Sequence, residues 1–300
     1  MGRRTARTRI VRLTAAGGSR QREETLAAEE PLEIRIGDPA VPGSAHVPFA
    51  TTMRTPGEDF DLVAGFLVSE GVVAAAEHLA SLRFCAGEDD DGRQTFNVVE
   101  AQLGPGAVPP SAGQHRHVAG NSSCGICGTA SLDAVDKTAR CPLPAAHAAR
   151  DDGGARLSAE TLLALPERMR EHQRLFSKTG GVHAAALFDL DGQLLCLRED
   201  VGRHNAVDKV IGWALREGRL PAHHTVLQVS ARASFELAQK ARMAGIPILA
   251  AVSAPSSLAV ALGERVGLTI AGFSRGSTVN LYTHPERIES RSEDVSTGAE

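Results

Sequence analysis

Residues 225–252 read Thr-Val-Leu-Gln-Val-Ser-Ala-Arg-Ala-Ser-Phe-Glu-Leu-Ala-Gln-Lys-Ala-Arg-Met-Ala-Gly-Ile-Pro-Ile-Leu-Ala-Ala-Val. Two short apolar runs bracket a segment of helical composition, giving strand Thr225–Val229, helix Ser234–Ala244 and strand Pro247–Val252. That is the unit from which parallel sheets are built. The same grammar continues on both sides. Val182–Phe188 and Gln193–Leu197 are strands joined by an Asp191-Gly192 turn. Asn205–Leu215 is a helix with Val207, Val210, Ile211, Ala214 and Leu215 turned inward. Ser256–Arg265 is a further helix, and Leu268–Phe273 and Val279–Tyr282 finish the sheet. The alternation predicts a three-layer α/β domain with a mostly parallel central sheet over residues 158–285. Ser158 is expected to cap its first helix, which Pro166 interrupts before it continues through Met169, His172 and Phe176.

Upstream the pattern is mixed. Residues 1–30 are polar, with five arginines in the first twelve positions, and predict a mobile lead-in with one strand at Arg9–Thr14. Residues 31–120 read as a smaller α+β part. Leu32–Ile36 and His46–Met53 are strands, and Phe60, Val63, Ala64, Leu67 and Val68 stripe one face of an amphipathic helix. A hairpin of Leu82–Cys85 and Gln94–Glu100 turns at Asp89-Asp90-Asp91-Gly92. Leu103–Gly120 is a Gly- and Pro-rich loop. Residues 121–157 hold a Cys-x-x-Cys loop, a helix over Thr129–Ala139 and a linker, and residues 286–300 are expected to be a disordered tail.

Composition narrows the function. A chain of 300 residues with 42% hydrophobic and 23% charged residues has the balance of a globular protein. A net charge of −4 does not fit a general nucleic-acid binder. No apolar run approaches the ~20 residues that span a bilayer. The arginine-rich start lacks the apolar core of a signal peptide, and the cysteine count is odd, so a reducing, cytoplasmic location is expected.

The densest chemistry is Ser-Ser-Cys-Gly-Ile-Cys-Gly at 122–128. A thiol reacts as its thiolate, and the N-terminus of a following helix would favour negative sulfur on Cys124 and Cys127. Flanking glycines let a partner approach the backbone closely. Half a zinc site would need two more ligands, yet Cys85, Cys141 and Cys196 are scattered and His115/His117 is a loose pair, so no structural metal is expected. A thioredoxin-like pair would need a strand before it and a βαβ unit around it, which the pattern lacks.

Polar residues gather where strands end, which is where ligands bind in open α/β sheets. Arg198–Asn205 follows one strand and contains Arg203 and His204. Ser230–Ser234, with Arg232, follows the next. Ser253–Ser257, with Ser253 and Ser256, follows the third, and Ser274–Thr278, with Arg275, the last. Hydroxyl-rich helix starts and forked guanidinium groups suit an anionic ligand. Taken alone, Ser234 and Ser256 read as ordinary caps before ligand contacts, and His183 as a core histidine. No Walker loop or Gly-x-Gly-x-x-Gly fingerprint occurs, which speaks against an ordinary nucleoside triphosphatase or NAD enzyme.

Ser-Ser-Cys-Gly-Ile-Cys-Gly (122–128), Thr-Gly-Gly-Val-His-Ala-Ala-Ala (179–186), Glu-Asp-Val-Gly-Arg-His-Asn-Ala-Val-Asp-Lys (199–209) and Ser-Ala-Pro-Ser-Ser-Leu-Ala (253–259) together resemble the formate dehydrogenase accessory sulfurtransferases, the FdhD family. The resemblance runs from about Arg35 to Tyr282. It implies a cytidine-deaminase-like core, a homodimer, and a sulfur carrier loaded as a persulfide by a cysteine desulfurase. It implies transfer to the molybdenum cofactor, bis-molybdopterin guanine dinucleotide, before insertion into the formate dehydrogenase apoenzyme. Cys124 is implied as the persulfide-bearing residue and Cys127 as its assistant. The cofactor-contacting segment is implied at Phe273, Ser274, Arg275, Gly276, Ser277 and Thr278. The alternative is a non-catalytic, cofactor-binding chaperone with a structural Cys pair. The deaminase zinc signature is missing, so zinc hydrolysis is not implied.

Overall fold

The structure is a computed structural model and describes residues 2–37, 45–85, 87–88, 94–109, 140–148 and 154–290. Cys124, Cys127, the Thr129–Ala139 segment and the last ten residues lie outside the described residues.

The chain opens with a hairpin of two nine-residue strands, β1 (Thr5–Leu13) and β2 (Ser19–Ala27), in unbroken antiparallel register from Thr5↔Ala27 to Leu13↔Ser19. Residues 1–30 therefore hold two strands and not one. Their polar, unalternating composition hid the second. Next come β3 (Glu30–Gly37) and β4 (Val47–Arg54), then α1 (Asp59–Ser69). β5 (Leu79–Phe84) follows, then the two-residue pair β6 (Gly87–Glu88) and β7 (Gln94–Thr95), then β8 (Val98–Leu103). β3, β4, β5 and β8 form a four-stranded sheet in the order β4-β3-β8-β5.

After residue 140 come the short β9 (Leu157–Ser158), α2 (Ala159–His172) and α3 (Arg174–Thr179). Ser158 caps α2 through its hydroxyl, which accepts from the Thr161 N–H at 3.0 Å. Pro166 sits inside α2 without interrupting it, and the break falls at Gln173. The Glu199 carboxylate accepts from the Leu175 and Phe176 N–H groups at 2.8 and 2.7 Å, and so starts α3 afresh.

The main sheet contains β10 (His183–Asp189), β11 (Leu194–Asp200), β12 (Thr225–Val229), β13 (Ile248–Ala251), β14 (Thr269–Arg275) and β15 (Thr278–Thr283), in the order β11-β10-β12-β13-β14-β15. Between them run α4 (Arg203–Arg216), α5 (Phe235–Met243) and α6 (Ser257–Val266). Only β12–β13 and β13–β14 pair in parallel; the other three pairings are antiparallel. The expected mostly parallel sheet thus holds for the middle, where helical crossovers join the strands. At the two edges, hairpin connections too short for a crossover enforce antiparallel pairing of β10 with β11 and of β14 with β15. β12 is antiparallel to β10 because the chain reaches it from β11 through α4, passing over β10.

Residues alternate between the sheet's two faces. Ala184, Ala186, Phe188, Val226, Ile248 and Ala250 pack with Leu162, Leu165 and Met169 of α2. Ala185, Leu187, Leu227, Leu249 and Ile270 pack towards α4, α5 and α6. The second cluster continues through α1 into Leu32, Ile34 and Val99 of the four-stranded sheet. α1 is consequently buried nearly all round, including Asp59, Asp61 and Ser69, where an amphipathic helix was expected. It lies against α4 so closely that a Cβ on Gly65 would stand 1.8 Å from the Asp208 carbonyl oxygen, and one on Gly212 equally close to that of Asp61.

The tail also differs from expectation. Pro285–Arg287 forms a single 3-10 turn, and β16 (Ile288–Glu289) pairs in parallel with β9. Arg287 is fully buried and donates to Gly267 O, Thr269 Oγ1 and Pro144 O. Residues 286–289 therefore belong to the folded body.

Candidate functional site

β11, β12, β13 and β14 all run the same way, so Asp200, Val229, Ala251 and Arg275 end at one edge of the sheet. β10 runs the opposite way and starts there at His183, and β15 starts there at Thr278. This edge gathers the polar loops singled out from the sequence.

Backbone hydrogen bonds stitch the loops together. Ser230 N–H donates to Ala184 O, and Ser230 Oγ accepts from Ala184 N–H at 2.9 Å. Ser256 N–H donates to Ala233 O at 3.0 Å, and Phe273 N–H to Ser253 O at 3.2 Å. Phe273 takes φ 53°, a left-handed conformation that a bulky residue adopts only at a cost of order 1–3 kcal/mol. The next residue, Ser274, is fully buried, while Arg275, Gly276, Ser277 and Thr278 form an exposed hairpin tip turning at Gly276, φ 61°. The Arg275 guanidinium lies 5.8 Å from the Phe273 ring centroid.

The Arg198–Asn205 stretch divides into scaffold and ligand-facing groups. Asp200 is fully buried; it accepts from Thr55 N–H, Gly202 N–H and Asn205 Nδ2, and pairs with the buried Lys209 at 2.8 Å. Glu199 is spent on α3. Arg203 and His204 are what remains, on the first turn of α4, whose N-cap is Gly202 and which has no side-chain cap. Such a helix start offers free N–H groups to an anion.

His204 is mostly buried, and its Nε2 has no hydrogen-bond partner. Burial, then Lys240 and Arg203 nearby, push its pKa down to about 4, so the ring is neutral near pH 7. His183 is shifted in the same direction by burial and by Arg203, opposed by Asp200. Ser234 stands at the N-cap of α5, yet its Oγ caps nothing and is buried without a partner. Ser256 behaves as an ordinary cap, accepting from Ala259 N–H at 3.2 Å. Arg232 is exposed and Ser253 half-buried on the same edge.

The edge therefore presents guanidinium groups, free helix N–H groups, and three buried polar atoms, His204 Nε2, Ser234 Oγ and Ser274 Oγ, in need of partners. This set can hold an anionic group and hydrogen-bond a planar polar one. Ser234 and His183 stand beside the other candidates; the unpaired state of Ser234 is a tertiary fact with no sequence signal. Among the described residues, no three His, Cys, Asp or Glu side chains gather as a metal-holding group. Cys196 is buried, which pushes its thiol up to about 12 and makes it unreactive.

Comparison with known proteins places the whole chain in a family. The profile of the FdhD/NarQ family matches residues 27–289. The chain is 55% identical to a sulfur carrier protein FdhD of Nocardia farcinica over 99% of both chains. It is 54% identical to that of Streptomyces avermitilis, covering 97% of this chain and 98% of the other. A crystal structure of a formate dehydrogenase accessory protein from Desulfotalea psychrophila shares the fold, with a TM-score of 0.69 at 23% identity over 95% of this chain and 99% of that one. On these grounds the chain belongs to the FdhD/NarQ family.

Proposed function

We propose that this protein is a sulfur carrier in the maturation of formate dehydrogenase, working in the cytoplasm as a homodimer. Its full-length likeness to proteins named as sulfur carriers is the observation that carries this reading. In the loading step, the Cys124 thiolate attacks the outer sulfur of a cysteine desulfurase persulfide. A Cys124 S–S bond forms, and the desulfurase cysteine leaves as its thiolate. Cys124 then yields that outer sulfur to the acceptor and is itself released as thiolate, with Cys127 assisting.

The acceptor is the cargo: molybdenum bis-molybdopterin guanine dinucleotide on its way to the apoenzyme. Its pyrophosphates match Arg203, Arg232, Arg275 and the N-terminus of α4. Its guanine base carries the donors and acceptors that His204 Nε2 and Ser234 Oγ lack. Phe273–Thr278, Ser253 and Ser256 would border the same ligand.

Intact mass after incubation with a cysteine desulfurase and cysteine tests the loading step. Wild type should gain a reducible adduct of about 32 Da, one sulfur atom, and Cys124→Ala should not. Wild type without an adduct, despite active desulfurase, would shift the reading to a cofactor-binding chaperone with a structural Cys pair.

A further inference from the structure

All of the β1–β2 hairpin except its last residue, Ala27, lies outside the stretch matched by the family profile, which begins at residue 27. Residues 1–27 carry seven arginines and two glutamates, a net charge of +5. The chain as a whole carries −4, so the other 273 residues carry −9. The positive charge is thus concentrated on one element.

That element has no core of its own. Arg7, Thr8, Arg9, Val11, Arg12 and Leu13 are exposed on β1, as are Ser19–Glu23 on β2, so neither face of the hairpin is covered over most of its length. A two-stranded ribbon is marginal in water unless a third strand or another surface covers a face. Val11 at 59%, Leu13 at 76% and Leu26 at 44% are three of the six exposed large hydrophobic residues among the described ones. Apolar residues interleaved with arginines, on an arm with open strand edges, have the composition of a protein interface. Residues 1–27 contain no aromatic residue to stack on bases, which weighs against single-stranded nucleic acid.

The arm is rooted beside the ligand edge. Arg4 Nη1 donates to Glu58 Oε1 at 3.1 Å, and Glu58 stands 4.0 Å from Lys209, the partner of Asp200. Ala28 N–H donates to Arg4 O, closing the base of the hairpin. β2 packs against α3, which leads through Gly180 to His183 at the start of β10. Whatever protein receives the cargo from this edge would meet the arm.

We infer that the β1–β2 arm docks an acidic surface of the formate dehydrogenase apoenzyme, holding it over the ligand edge while the cofactor passes. This rests on the function proposed above and names the part of the chain that selects the recipient. Complementary charge there acts mainly on encounter rate and orientation, so binding should weaken as salt rises.

The test uses the full chain and two variants. Arg9→Glu/Arg12→Glu/Arg20→Glu reverses the charge of exposed side chains, and Val11→Ser/Leu13→Ser removes the apolar tip. Both are checked for an unchanged circular dichroism spectrum. Binding to formate dehydrogenase apoenzyme from the same cells is measured at two salt concentrations, with persulfide loading by the desulfurase read in parallel. The expected result is salt-sensitive binding by wild type, weakened by roughly tenfold or more in the charge variant and less in the apolar one, with loading unchanged in both. Undiminished apoenzyme binding by the charge variant, or no binding by wild type, would overturn the inference while leaving persulfide loading to decide the carrier reading. Loss of loading with apoenzyme binding retained would also overturn it, since the arm would then serve the sulfur donor. Arm-dependent binding to anionic phosphatidylglycerol vesicles in place of the apoenzyme would overturn it too.

Discussion

His204 shows how one residue ties the site to stability. Its pKa is about 4 in the folded chain, against 6.5 ordinarily, so the unfolded state takes up a proton that the folded state refuses. The penalty is absent above about pH 6.5, grows as the pH falls, and is complete below about pH 4, where it amounts to about 3 kcal/mol. Replacing His204 with Gln should flatten this part of a melting-temperature profile between pH 7 and 4. A profile that keeps its slope in the variant would assign the acid sensitivity to other groups, His183 among them. Cys196 gives a second residue-level expectation. With its thiol at about 12, it should resist iodoacetamide at pH 8 in the native protein and react once the chain is unfolded. Peptide mapping after labelling reads both states, and native labelling would contradict the burial.

The decisive contact between elements is the crossing of α1 and α4. Gly65 and Gly212 bring the two backbones together with no room for a methyl group on either. Gly65→Ala and Gly212→Ala should each cost about 2–3 kcal/mol or more, because backbone must move where a side chain could not yield. Urea denaturation measures this, and a loss below 1 kcal/mol in both would mean the helices part easily. Such a crossing is hard to read from sequence, where Gly65 interrupts a good helical stripe and only marks a lowered propensity. The strand–helix–strand run over 225–252 was legible because two short, continuously buried apolar runs bracket a segment of helical composition. The second strand of the arm was not, since Ser19–Ala27 pairs through backbone while most of its side chains stay exposed. The same limit applies to the site. Arg203, Arg232 and Arg275 could be placed from strand ends, but the partnerless state of His204 and Ser234 depends on neighbours far along the chain. The fixed place of Arg287 depends on Pro144 and Gly267, a pairing that no local pattern contains.

At the scale of the whole molecule, the two sheets share one continuous apolar core through α1, so they should unfold together. Lys209 and Asp200, both fully buried, join Thr55 of the N-terminal part to the main sheet. Lys209→Met leaves the Asp200 carboxylate buried beside no cation and should cost about 3–5 kcal/mol. Calorimetry should show a single transition in wild type and in this variant, at a lower temperature in the latter. Two separated transitions would mean that the parts fold independently.

The two ends of the folded body leave from opposite sides. Gly2 approaches Pro56, next to the Thr55 that binds Asp200, whereas β16 follows Thr283, which pairs with Ile270 at the start of β14. For anyone attaching a purification tag or a fluorescent fusion, the choice of terminus is therefore a functional choice. A bulky partner fused before residue 2 would stand beside the edge proposed to hold the cargo, while one joined at residue 290 would start from the far side. Complementation of formate dehydrogenase activity in a deletion strain should tolerate the second and suffer from the first.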